Sequence, residues 1–226
     1  MAQARGAHMD VLITDVTVMA QGYCVAGWDT AAKRMVRPLP DGGYWTADIL
    51  GQYGVVAGKS IRAEPRGKPN GSYPHRTENT PIEATSITAL EGVFSDWLGE
   101  SAPQVAASLS AGFDNNLQWN REWNGVKQGV YVPPGAQCCS LVGVRVAKTN
   151  LAFSEAFGKL RATLNDGSES YQLTVSSKML KEAWRAGGLE AVNKALPVRE
   201  ELHVRVGLAR PYDNPPKCYA MLNGVL

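Results

Sequence analysis

The sequence predicts a mainly β protein made of two small Greek-key barrels with short helical insertions. Three observations lead there. The 226 residues include 23 glycines and 13 prolines, the turn-rich composition that many short strands require. Apolar and β-branched residues recur in runs of five to nine with turn formers between them. The two halves also present the same order of elements, strands, then a helix or coil insertion, then strands, each half being about the size of a five-stranded barrel. No residue-level repeat accompanies that order.

The first half opens on a meander. Residues 10–18 (DVLITDVTV) and 22–28 (GYCVAGW) read as strands around a Gln21-Gly22 turn, and 33–37 (KRMVR) returns as a third. Pro38 and Pro40 end that pairing because proline offers no ladder donor. Residues 38–58 are irregular and carry Tyr44, Trp45 and Tyr53. A strand is expected over 59–64 and another over 82–90. Between them, residues 65–81 hold four prolines and two glycines and read as a long loop. A helix is expected over 92–110, with Ser95 or Ser101 as caps and Pro103 in a helix-starting position. Trp119 and Trp123, four apart, would share one helix face.

The second half is more regular. Residues 136–148 read as a strand. Residues 158–175 form a hairpin about the Asn165-Asp166-Gly167 turn. Residues 177–186 form a helix capped by Ser177 and ended by Gly187. Residues 201–208 alternate, with Leu202, Val204 and Val206 inward and His203 and Arg205 outward, and 217–225 is the last strand. The domain layout that follows is a tag-like or disordered leader over 1–9, a first barrel over 10–134 and a second over 135–226.

Composition narrows the function. The 23 basic and 21 acidic side chains leave a net charge of only +2. Residues 1–136 hold 11 basic and 13 acidic groups, and residues 137–226 hold 12 and 8. An anionic partner must therefore meet a local basic surface. No apolar run is long enough for a membrane span and no signal peptide is apparent, so a cytoplasmic protein without a membrane partner is expected. Cys24, Cys138, Cys139 and Cys218 include no C-x-x-C pair and are expected to be reduced thiols rather than zinc ligands. No metal and no cofactor are predicted.

Several residues carry a family resemblance. The opening has Ile13-Thr14-Asp15-Val16-Thr17, then Cys24-Val25-Ala26-Gly27-Trp28-Asp29 and Val36-Arg37-Pro38. The closing has Val206-Gly207-Leu208-Ala209-Arg210-Pro211-Tyr212 and Cys218-Tyr219-Ala220-Met221-Leu222-Asn223-Gly224-Val225. This arrangement, from Asp10 to the end, resembles the dual OB domain family of prokaryotes. The resemblance implies two tandem OB barrels that bind or help modify nucleic acid, in some cases within systems of conflict with phages. It brings no catalytic residues with it.

The candidate nucleic-acid contacts follow from charge and aromatic content. Lys59, Arg62, Arg66, Lys68 and Arg76 stand against Glu64 in one Gly- and Pro-rich stretch, with Tyr73 and His75 among them. Tyr44 and Trp45 are candidate base-stacking rings. Arg37 either reaches a phosphate or braces Asp15 or Asp29. Lys159 and Arg161 alternate onto the outer wall of a strand. Together these groups are expected to converge on one positive groove. For catalysis, His75 with Glu78 is the acid–base pair in view, and no G-x-S-x-G, H-E-x-x-H or phosphate-loop motif is present. The leading expectation is a nucleic-acid-binding protein. The alternatives are an adaptor that recruits a nuclease or ATPase partner and, behind it, a nucleic-acid-modifying enzyme.

Overall fold

A computed structural model describes residues 8–41, 43–67, 71–90 and 105–226. The protein is mainly β. It divides into two units, the first holding residues up to 71 and 76–102, the second holding 72–75 and 103 onward.

In the first unit, β1 (Met9–Met19), β2 (Gly22–Asp29) and β3 (Arg34–Leu39) form an antiparallel meander. The helix α1 (Ala47–Gln52), capped by the Thr46 side chain on the Ile49 amide, lies between β3 and β4 (Ser60–Ala63). Residues 79–90 then run past both free edges. They pair with β3 in parallel as β5 (Asn79–Pro81) and with β4 antiparallel as β6 (Thr88–Leu90). A bridge from Pro65 to Ile82 joins the two contacts. With β4 also pairing β1, the ring closes in the order β1-β2-β3-β5/β6-β4, the Greek-key connectivity of an OB barrel. The long first strand curls by a bulge at Thr14, where Ile13 faces Gly27 but Asp15 faces Ala26. Gly27 is required there, because a Cβ would collide with the Leu12 carbonyl and the Val11 side chain. Val11, Ile13, Val25, Val36, Trp45 and Ile61 fill this core.

The second unit repeats that order on a different sequence. β11 (Leu141–Ala147) and β12 (Leu151–Ala156) are one long strand bent at a single 3₁₀ turn, Lys148–Asn150. β13 (Lys159–Asn165), β14 (Ser170–Val175), the helix α3 (Lys178–Lys194), β15 (Glu201–Leu208) and β16 (Cys218–Val225) follow. β12 pairs β13, β13 pairs β14, β14 pairs β16 in parallel, β16 pairs β15, and β15 returns to β11. Both units are therefore OB-type barrels with a helix between their third and fourth strands. The second core is larger and includes Leu109, Phe113, Leu160, Leu173, Leu180 and Leu222.

Several expectations are corrected. β1 starts at Met9, which is buried and pairs with Ala63, so the ninth residue belongs to the fold. Residues 105–132, which the sequence places in the first barrel, belong to the second. β7 (Val105–Ala106) pairs β11, β9 (Val126–Gln128) pairs β14, and β10 (Tyr131–Val132) pairs β16. The expected helix over 92–110 lies outside the described residues up to 104. The described part holds a short helix α2 (Leu109–Gly112) capped by Ser108. Trp119 and Trp123 are not on a helix. Trp123 ends β8 (Arg121–Trp123), which forms a hairpin with β9 through Asn124-Gly125. The stretch 136–140 precedes β11 without strand pairing, and 82–87 contains a 3₁₀ turn rather than continuous strand. Gly187 breaks α3, as expected, but the chain resumes helical form after Gly188. His203 and Arg205, expected outward and exposed, are buried, at 6% and 2% exposure. The outer face of β15 is covered, so alternation there does not separate core from solvent.

Candidate nucleic-acid interface

The cations of the first unit are largely committed. Arg62 grips the Asp10 carboxylate with two hydrogen bonds of 2.7 Å. Those bonds hold the Asp10 carboxyl below its ordinary value against the opposing effect of burial. Arg66 pairs with Asp41 at 3.3 Å and with Glu83. Arg37 is buried, and its guanidinium donates to Asn79 Oδ1 at 3.0 Å, so it braces the first barrel rather than standing open to a phosphate. Asp29 accepts the Ala31 and Ala32 amides. Trp45 is wholly buried, with its indole N–H donating to the Pro38 carbonyl at 2.9 Å, and it cannot stack on a base. Tyr44 is half-buried, and Lys59 and Arg76 are exposed. Lys68 lies outside the described residues.

Tyr73 and His75 belong to the second unit. The Tyr73 carbonyl accepts the Gly135 amide, and His75 Nε2 lies 2.9 Å from the Leu208 carbonyl. His75 is buried, and Glu78 is buried and accepts the Thr77 hydroxyl, so neither is presented as a solvent-facing acid or base. Among the described cations of 59–76, Arg62 and Arg66 are thus neutralised by carboxylates, while Lys59 and Arg76 stand exposed.

The second unit presents a different surface. Strand alternation and register put Ala152, Ser154 and Ala156 of β12 on one outward face with Lys159, Arg161, Thr163 and Asn165 of β13. Ser170, Gln172 and Thr174 of β14 continue that face, followed by Val126 and Gln128 of β9 and by Trp123 and Arg121 of β8. None of these positions is a carboxylate, and three are cations. The Arg161 guanidinium is steered by the Thr174 hydroxyl, and Arg121 Nε donates to Gln128 Oε1 at 2.8 Å. Both partners are neutral, so each arginine keeps its charge available. Glu169, in the β13–β14 loop, is held by Lys127 at 2.8 Å. Lys127 sits 3.9 Å above the Trp119 ring, which pins the β8–β9 hairpin to the barrel. That hairpin holds Trp123 at 68% exposure at the rim of the face.

The face is therefore polar and cationic, with small side chains along its β12 edge and a ring at the opposite, β8 edge. It spans about 20 Å along β13 at ~3.3 Å per residue. Of the residues singled out from sequence, Lys159 and Arg161 lie on it. From sequence, Arg121 and Trp123 are considered for stacking but set aside, because the four-residue spacing of Trp119 and Trp123 reads as a packed helix face. The signal for them was present, because Asn124-Gly125 between Trp123 and Val126 is a strong hairpin turn. Among the described residues no cluster of three or more His, Cys, Asp or Glu is placed to hold a metal ion. No described helix is long and apolar enough to cross a membrane.

No family model matches the chain, and no curated protein matches it in sequence. Two solved structures are similar in outline. One is a murine DNA binding protein bound with double-stranded DNA, at 7% identity and a TM-score of 0.37 over 97% of this chain and 93% of that one. The other is the tetrameric p202 HIN2, at 8% identity and a TM-score of 0.35 over 98% and 92%. The assignment of OB barrels rests on the strand order described above.

Proposed function

We propose that the protein binds single-stranded nucleic acid on the outward face of β13 and β14 and their extension through β9 and β8. The observation that carries this reading is an OB strand-two and strand-three surface with three cations, an exposed tryptophan and no carboxylate. Lys159, Arg161 and Arg121 meet phosphates, and Trp123 stacks on a base at the rim. The polar side chains between them suit a backbone without sequence readout. A site about 20 Å long accommodates a few nucleotides, within the range of about 4–16 seen per OB fold. The two-barrel architecture is in keeping with the dual OB resemblance, which adds a setting for such binding in prokaryotic conflict systems.

Fluorescence anisotropy of a labelled 15-nucleotide oligo(dT) at two salt concentrations tests this. Binding should weaken steeply with salt, with a log–log slope of about −2 for three phosphates at roughly −0.7 each. Salt-independent binding, or none at low salt, defeats the proposal.

A further inference from the structure

The second unit contains two hairpins closed by two-residue turns with positive φ at both positions. In the β8–β9 hairpin those residues are Asn124 (φ +48°) and Gly125 (φ +72°), the pair best suited to that geometry. In the β12–β13 hairpin they are Phe157 (φ +53°) and Gly158 (φ +65°), between the last ladder pair Ala156 and Lys159. A bulky aromatic in the left-handed region is strained, where asparagine would relieve the strain at no loss of contacts. Phe157 makes no compensating contact, because it is 96% exposed. Both local backbone chemistry and hydrophobic burial disfavour phenylalanine here, so folding does not account for it.

Its surroundings are cationic. Lys159 follows the turn, the Trp184 indole bond to Glu155 holds α3 against the end of β12, and Lys181 lies within electrostatic range of Lys159 and Arg185. Burial, and then the neighbouring charges of Arg185 and Lys159, pull the Lys181 ammonium below its usual lysine value. Glu182 pairs with Lys178 at 2.7 Å, and Glu155 accepts the neutral Trp184 indole N–H at 3.2 Å, which leaves one carboxylate charge among three cations. Three cations against one carboxylate, at the end of the sheet that carries an exposed ring, suit a polyanion that carries flat rings.

We infer that Phe157 is a base-stacking residue and that Lys159, Lys181 and Arg185 receive the phosphates flanking that base, so that the bound strand runs from Trp123 across the sheet and past its edge to α3. This rests on the proposed single-strand site and extends it by a second aromatic end. The two rings lie at opposite ends of β13, one on each hairpin tip.

The test uses Phe157→Asn and Phe157→Trp in the full chain with labelled 15-nucleotide oligo(dT). Phe157→Asn should raise the Tm by about 2–4 °C by relieving the turn, while weakening oligo(dT) binding about tenfold, in line with the stacking of one base. Phe157→Trp should retain wild-type affinity. Wild-type affinity in Phe157→Asn overturns the inference and leaves the single-strand site standing. The inference is equally overturned if Phe157→Asn abolishes a concentration-dependent self-association seen by sedimentation while oligo(dT) affinity is unchanged, because the ring then serves a protein contact. Absence of any oligo(dT) binding by the wild type removes both the site and its extension.

Discussion

The two barrels share one strand order and differ in what their charges do. In the first, Arg62 meets Asp10, and Arg66 meets Asp41 and Glu83. In the second, Arg161 and Arg121 rest against a hydroxyl and an amide, and the face they share has no acid. An ion pair inside a unit satisfies its members and leaves little field for a ligand, whereas a cation held by a neutral partner is oriented and still charged. A local excess of basic residues in sequence therefore says less than the identity of each cation's neighbour. The stretch 59–76 is the richer in basic residues, yet the anion surface proposed above is the sheet of the second barrel.

The contrast can be broken at the level of folding. Each barrel has its own core, and Trp45 is the largest fully buried side chain of the first. Trp45→Ala should destabilise that barrel by about 3–5 kcal/mol. Urea unfolding should then split into two transitions, with oligo(dT) binding by the second barrel retained through the earlier one. A single shifted transition with loss of binding would show that the units do not behave separately.

A smaller effect separates the barrels by pH. Burial first, then the charges of Arg145 and Arg205, depress His203 in the second barrel to about 4, with Glu201 opposing. Arg145 Nε donates to His203 Nε2 at 2.9 Å, which requires the neutral ring. An unfolded histidine titrates near 6.5, so as pH falls through the window from about 6.5 to 4 the unfolded chain takes up a proton that the folded one refuses. Stability should fall by roughly 2–3 kcal/mol across that window. It should be flat above it. His203→Gln should lack this component in urea titrations at pH 7 and pH 4.5.

The smallest effect sharpens the contrast most directly. Arg161→Ala combined with Arg121→Ala should lower oligo(dT) affinity several-fold and make the salt slope shallower by about 1.4, two phosphates at roughly −0.7 each. Arg62→Ala and Arg66→Ala should leave both affinity and slope unchanged. Equal losses from the two pairs would mean that the first barrel binds as well.

Much of this architecture is legible in the sequence, for reasons that also explain where legibility stops. The hairpin of β13 and β14 shows clean alternation about Asn165-Asp166-Gly167, because one of its faces is core and the other is open. Strand β15 alternates as well, but its outer face is covered, and the rule that read β13 correctly misplaces His203 and Arg205. Trp45 follows an irregular, glycine-rich segment, and nothing local reveals that its indole reaches the Pro38 carbonyl. The short strands β7, β9 and β10 have two or three residues each, too few for periodicity, and their partners lie far along the chain. Lys159 and Arg161 were readable because outward position follows from alternation alone. The absence of acids around them was not, since it depends on which strands become neighbours.

The pairing of β14 bears on how the molecule can be dissected. Along one edge it is met by β16 at Thr174 and Val175, and by β9 at Ser170 to Gln172. A fragment cut to begin at residue 135 would strip β9 from that edge and leave its amides and carbonyls bare, inviting intermolecular strand addition. It would also remove Leu109, Phe113 and Val132 from the interior. Insolubility of such a piece would thus reflect a severed sheet rather than an inability of the second barrel to stand by itself.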